Sequence, residues 1–214
     1  MIKRLNSFLN KRKTERLKKQ NEIRKKLPKG SFSRKFYGIS KDLKKETIII
    51  KSPGGHIIYN SQGYKNKVEI PVKFLENLKK NDRDLSKLQL IHNHTISKKS
   101  SMGSKPSFND IRLFLDMYRQ FDITNFTILF IDKYNLKEFG RIFLKLDSLD
   151  VMNKLKNFKN RSDYNIWFKE NTLYFGKPIE FISINDLKYF GFKYRFLGLN
   201  GHKYNSEKEI FQNK

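Results

Sequence analysis

The chain has no cysteine among its 214 residues. That excludes disulfides, thiolate metal ligands and a cysteine nucleophile together. Histidine is scarce as well, with four in all, so any metal site must be built from imidazole and carboxylate. Proline numbers five and glycine eleven, too few for a linker-dominated or collagen-like chain. No apolar run approaches 18 residues, which argues against a membrane span. The start, Met1-Ile2-Lys3-Arg4-Leu5, has charge without the hydrophobic stretch of a secretory signal, and a cytoplasmic location is therefore expected. Acidic residues are the last shortage: 21 against 46 Lys and Arg, a formal net charge of +25. Such an excess invites a polyanionic partner, because clustered cations release counterions from phosphate. Lys outnumbers Arg 35 to 11, however, and Asn, Ile and Phe are abundant, so part of the excess also fits an AT-rich coding sequence.

What is present supports a folded core. Hydrophobic residues make up 37% and aromatics 14%, in a length suited to one domain with an extension. Residues 1–30 carry twelve Lys and Arg against Glu15 and Glu22. Their apolar spacing thins after Leu9, and residues 1–35 read as a basic arm, helical or disordered. The arm has two readings, a solvated segment or a nucleic-acid contact. Lys26-Leu27-Pro28-Lys29-Gly30 breaks the pattern, and a domain begins beyond it, near residue 36.

From Glu46 the texture becomes that of alternating strands and helices. Thr47–Ile50 and His56–Tyr59 flank a Pro-Gly-Gly turn, Val72–Leu78 has a helical stripe, and Leu88–His94 is a strand. Thr95–Lys105 is a polar loop, Ser107–Gln120 a helix, and Phe126–Ile131 a buried strand. This order predicts a three-layer α/β unit over residues 36–140. Residues 141–214 hold 15 of the 30 aromatics and form an α+β extension, with a helix near Ser148–Phe158 and short strands around Leu173-Tyr174-Phe175 and Phe192-Lys193-Tyr194. The run Tyr189 to Phe196 interleaves aromatics with cations; it suits core packing or, alternatively, base stacking.

The chemistry is concentrated in Ile91-His92-Asn93-His94 and Pro106-Ser107-Phe108-Asn109-Asp110. On a strand, side chains at i and i+2 leave one face, so His92 and His94 point together while Asn93 points away. Asp110, in the first turn of the following helix, is the natural third ligand. Two imidazoles and one carboxylate leave a tetrahedral zinc with an open position for water, the layout of a catalytic site. Ser107 and Asp110 equally match a capping box, in which serine bonds a first-turn amide and the carboxylate complements the helix dipole. A helix start facing the strand end satisfies both readings. The contiguous letters His-Asn-His do not make an HNH nuclease, whose name refers to three separated positions.

The order glutamate, strand and turn, His-x-His, then Ser-x-x-Asp resembles the JAMM (MPN+) zinc metallo-isopeptidase superfamily, including its RadC-type and phage-associated JAB branches. The likeness spans roughly residues 44–135 and is greatest to the bacterial form, where HNHP precedes PSxxDI. Thr95 stands where that form has proline, and the twelve residues between His94 and Ser107 make a longer loop. The resemblance implies a JAB/MPN (cytidine-deaminase-like) mixed sheet flanked by helices, a protein or peptide substrate, and Zn2+. It implies His92, His94 and Asp110 as ligands, Ser107 as a donor to the oxyanion, and an upstream glutamate as general base. Glu46 matches that place, with Glu69 in reserve. The competing expectation is a non-catalytic nucleic-acid-associated protein on the same fold.

Overall fold

The computed structural model describes residues 2–26, 29, 34–36, 45–63, 69–81, 83–94, 106–131, 139–173 and 184–197. In chain order these give α1 (Ile2–Lys26), β1 (Thr47–Lys51), β2 (Ile57–Gln62), α2 (Val72–Lys80), β3 (Gln89–Asn93) and α3 (Phe108–Phe121). There follow β4 (Asn125–Ile131), β5 (Phe139–Leu146), α4 (Leu149–Asn157), α5 (Arg161–Leu173), α6 (Ile184–Tyr189) and β6 (Phe192–Leu197). The fold is mixed α/β.

All six strands join one sheet, in the order β2-β1-β3-β4-β5-β6. β3 and β4 pair in parallel and every other neighbouring pair is antiparallel. Parallel neighbours need a crossover, and α3 supplies it. The crossover returns the helix start toward the end at which β3 finishes, which brings Ser107 and Asp110 back to His92 and His94.

Strand alternation sorts the side chains cleanly. One face carries Ile48 and Ile50, Leu90, Phe126 and Ile128, Ile142 and Leu144, all buried against Leu75 of α2, Ile111, Phe114 and Leu115 of α3, and Leu155 of α4. Fully burying one such aliphatic side chain contributes about 1.5–3 kcal/mol. Phe114 stacks on Phe126 with ring centroids 4.2 Å apart, which fixes α3 over β4. The opposite face is buried at its centre too, through Ile49, Ile91, Thr127 and Leu129.

α3 begins at a capping box. The Ser107 hydroxyl accepts from the Asp110 amide at 3.2 Å, and the Asp110 carboxylate accepts from the Ser107 amide at 2.6 Å. It ends at Asp122, a left-handed C-cap with φ of 61°.

The division drawn near residue 140 falls between β4 and β5, which are adjacent in the sheet and in register from Asn125↔Lys145 to Ile131↔Phe139. β5 and β6 thus extend the same sheet. The helix expected near 148–158 is α4, capped by Ser148. Of the short strand expected around Leu173-Tyr174-Phe175, Leu173 instead closes α5, and Tyr174 and Phe175 lie outside the described residues. α5 turns Tyr164, Trp167 and Phe168 toward Phe158 and Phe190, an aromatic cluster that makes a helix of a stretch with weak periodicity. Gly191 shapes the turn into β6. Its φ is 80°, and an added Cβ would stand 2.8 Å from that of Ser148.

The basic segment at the start is helical as α1, with almost every residue from Asn6 onward exposed and Gln20 buried. No described helix is long and apolar enough to cross a membrane. Thr95 and the loop to Lys105 lie outside the described residues.

Candidate metal centre

Register places His92 in a row that runs Ile48, His92, Ile128, Ile142 across four strands. The three isoleucines are fully buried, and His92 is 3% exposed. An imidazole in an apolar row is a costly choice unless it has a polar task. His94, two residues on, shares its face, and the two rings lie 5.1 Å apart between centroids. The His94 amide donates to the Leu129 carbonyl at 2.8 Å, extending the parallel ladder and pinning the strand end. Phe114 backs the His92 ring edge-on at 5.9 Å.

Asp110 meets both histidines. His92 Nε2 is 3.3 Å from Oδ1 and His94 Nε2 is 3.1 Å from Oδ2. The three donor atoms lie within 4.8 Å of one another and could hold a metal ion. Tetrahedral bonds of about 2.0–2.2 Å set ligand atoms roughly 3.3–3.5 Å apart, close to both distances. The Ser107 hydroxyl donates to Asp110 Oδ2 at 2.7 Å, so the capping box and the ligand set share one carboxylate. The capping box is thus formed, and the same carboxylate is placed where it could hold a metal ion.

The charge states suit a cation. Burial lowers the His92 pKa from 6.5 to about 4, with Asp110 opposing and His94 reinforcing the shift. Burial would favour a neutral Asp110, but His92, His94 and the Ser107 amide together outweigh it and hold the carboxyl well below its usual range. Near neutral pH the centre thus contains an ionised carboxylate and an uncharged His92. Within the described residues, His92 Nε2 is buried without a hydrogen-bond partner. In the tautomer with its proton on Nδ1, His92 Nε2 would set a lone pair against the carboxylate oxygen, a conflict that a cation between them removes.

Glu46 stands beside this group, immediately before β1. Its pKa is raised from 4.5 to about 7, first by burial, with His94 lowering it and Asp110 raising it. Glu69 is exposed and lies outside any strand or helix. The sequence reading gave Asn93 no task beyond pointing to the other face, and there it makes two contacts. Its Oδ1 accepts from the Thr47 amide at 2.6 Å and its Nδ2 donates to the Lys45 carbonyl at 3.4 Å. Asn93 is fully buried and clasps the chain on both sides of Glu46. The signal was an amide side chain between two histidines on an otherwise apolar strand, but its partner lies 46 residues upstream and only the sheet register reveals it.

Neither the protein-family models, nor the curated proteins, nor the solved structures with which the chain was compared match it.

Proposed function

We propose that the chain is a zinc-dependent hydrolase of peptide or isopeptide bonds, of the JAMM type, on a three-layer JAB/MPN-like fold in the cytoplasm. The observation that carries the reading is the convergence of His92, His94 and Asp110 with a half-buried glutamate alongside. The parallel β3–α3–β4 crossover and the chain order of the four residues support the same family assignment.

Two imidazoles and one carboxylate are the donor set for zinc with an open coordination position, whereas calcium and magnesium prefer all-oxygen shells. Zinc held there would supply Lewis acidity, polarising the substrate carbonyl and bringing the pKa of a coordinated water to about 7. Glu46 accepts the water proton while the new C–O bond forms, and returns it to the amine as the C–N bond breaks. In the metal-free chain burial raises the Glu46 carboxyl above its ordinary range, the direction that strengthens it as a base. Asn93 fixes the backbone that aims Glu46. Ser107 orients Asp110 through its hydroxyl and amide, and when that hydroxyl turns to the carbonyl oxygen it becomes the donor to the oxyanion.

Elemental analysis tests the centre first. Wild-type protein should hold close to one zinc per chain and a His92→Ala/His94→Ala variant almost none; equal metal in both removes the centre. Glu46→Gln should then keep the zinc and lose hydrolysis of a peptide or isopeptide library by at least about 100-fold. Undiminished turnover would take Glu46 out of the mechanism.

A further inference from the structure

The Tyr189–Phe196 run divides in the structure. Phe190 and Phe192 are buried and Tyr194 packs against the core, so these aromatics serve the interior. Lys193 and Arg195 leave the opposite face of the sheet, both exposed. Register sets Lys193 across from Lys145 and Arg195 across from Phe143, with Arg141 next along β5. The face thereby gathers four cations around one ring.

Like charges directly opposite on neighbouring strands destabilise a sheet. Asp147 relieves part of this, pairing with Lys145 at 3.5 Å and also with Lys193. Among the described residues, one carboxylate against Lys145, Lys193 and Arg195 leaves the groove positive. The groove encloses about 310 Å³, and Gln89 and Asn125 add amide groups to its lining. Arg195 lies over the Phe143 ring, 5.0 Å from its centroid, and Phe143 is only partly buried. A half-exposed aromatic ringed by guanidinium and ammonium groups is the chemistry that stacks a base while neutralising its phosphates. A rigid duplex keeps its bases stacked inside and offers none to Phe143.

We propose that this groove, on the sheet face opposite the candidate metal centre's side chains, binds single-stranded nucleic acid. Phe143 stacks a base, and Lys145, Lys193 and Arg195 contact the backbone. The site is independent of the hydrolase reading and of the basic α1.

The test is fluorescence anisotropy with a labelled 20-nucleotide oligo(dT), its RNA counterpart and a duplex of equal length, using the full chain over a salt series. Lys145→Ala/Arg195→Ala should weaken single-strand binding about tenfold or more and reduce the salt slope by about 0.7 for each lost phosphate contact. Phe143→Leu, which keeps an apolar side chain, should weaken it about fivefold or more at unchanged slope. Lys11→Ala/Lys18→Ala, removing the same charge from exposed α1 positions, should stay within about twofold of wild type. Circular dichroism shows that each variant is folded. No binding by wild type at low salt, equal losses from the groove and α1 pairs, or tighter binding to duplex with no effect of Phe143→Leu would each overturn the proposal. Binding that survives chelation separates this outcome from failure of the metal centre.

Discussion

Asp110 does two jobs with one carboxylate, closing the start of α3 and facing two imidazoles. Ser107 is the residue through which the two can be separated. Ser107→Ala removes the cap and should cost about 0.5–2 kcal/mol in urea unfolding. It should also lower zinc affinity by about 10- to 100-fold, as loss of an outer-shell partner does. A stability loss with unchanged affinity would mark Ser107 as a cap alone. Asn93→Ala should leave zinc content intact but strand the Thr47 amide, at about 1–3 kcal/mol, with activity falling further than stability explains.

The charge states give opposite pH limbs to the metal-free chain. The His92 pKa is lower folded than unfolded, so its contribution is complete above 6.5 and disappears as pH falls toward 4. The Glu46 pKa is raised, so its contribution is complete below 4.5 and is lost as pH rises through about 7. Thermal melts of zinc-free protein should therefore show Glu46→Gln gaining relative to wild type between pH 5 and 8. His92→Leu should flatten the acid limb between pH 6.5 and 4. Parallel curves for variant and wild type would show that these groups do not titrate as their burial requires.

Among the elements, α3 carries the most consequence, because it joins the parallel strands, covers the core row and presents the ligand carboxylate. Phe114 sits at the meeting of those roles, stacked on Phe126 and edge-on to His92. Phe114→Ala should cost about 3–5 kcal/mol by denaturant titration, and zinc affinity should fall with it as the His92 ring loses its backing. Elements whose signal is local were readable in sequence: β1, β3, α3 and β4 announce themselves through runs of β-branched residues, a period-two histidine pair and a Ser-x-x-Asp helix start. β5, α5 and the split of Lys193 and Arg195 from Phe192 and Tyr194 were not. Their character comes from register with distant strands and from aromatic packing across helices, and in Phe139–Leu146 the glycine and the two cations, Arg141 and Lys145, blur the alternation that pairing with β4 and β6 restores. The same distance effect hid the contact between Asn93 and the backbone around Glu46.

At the scale of the molecule, a single sheet presents a histidine–aspartate cluster on one face and a cationic groove on the other. A metal ion bound at the centre as proposed should also stabilise the whole fold, since an ion that binds only the native state adds free energy by mass action, about 2.7 kcal/mol at a hundredfold excess over its Kd. At about 2–4 °C per kcal/mol for a chain of this size, saturating zinc should raise Tm by roughly 5–11 °C over chelated protein. No shift, or the same shift in His92→Ala/His94→Ala, would place the ion elsewhere.

The β3–α3–β4 crossover also has a bearing on the order in which this protein matures during synthesis. His94 and Asp110 are only 16 positions apart, so one local strand–helix unit contains every donor for the ion. Glu46 arrives from a strand whose anchoring amide is 46 positions before Asn93, and the outer strands β5 and β6 emerge later from the ribosome. Zinc bound as proposed would find all three donors in place once β4 has paired with β3, before β5 and β6 are added to the sheet.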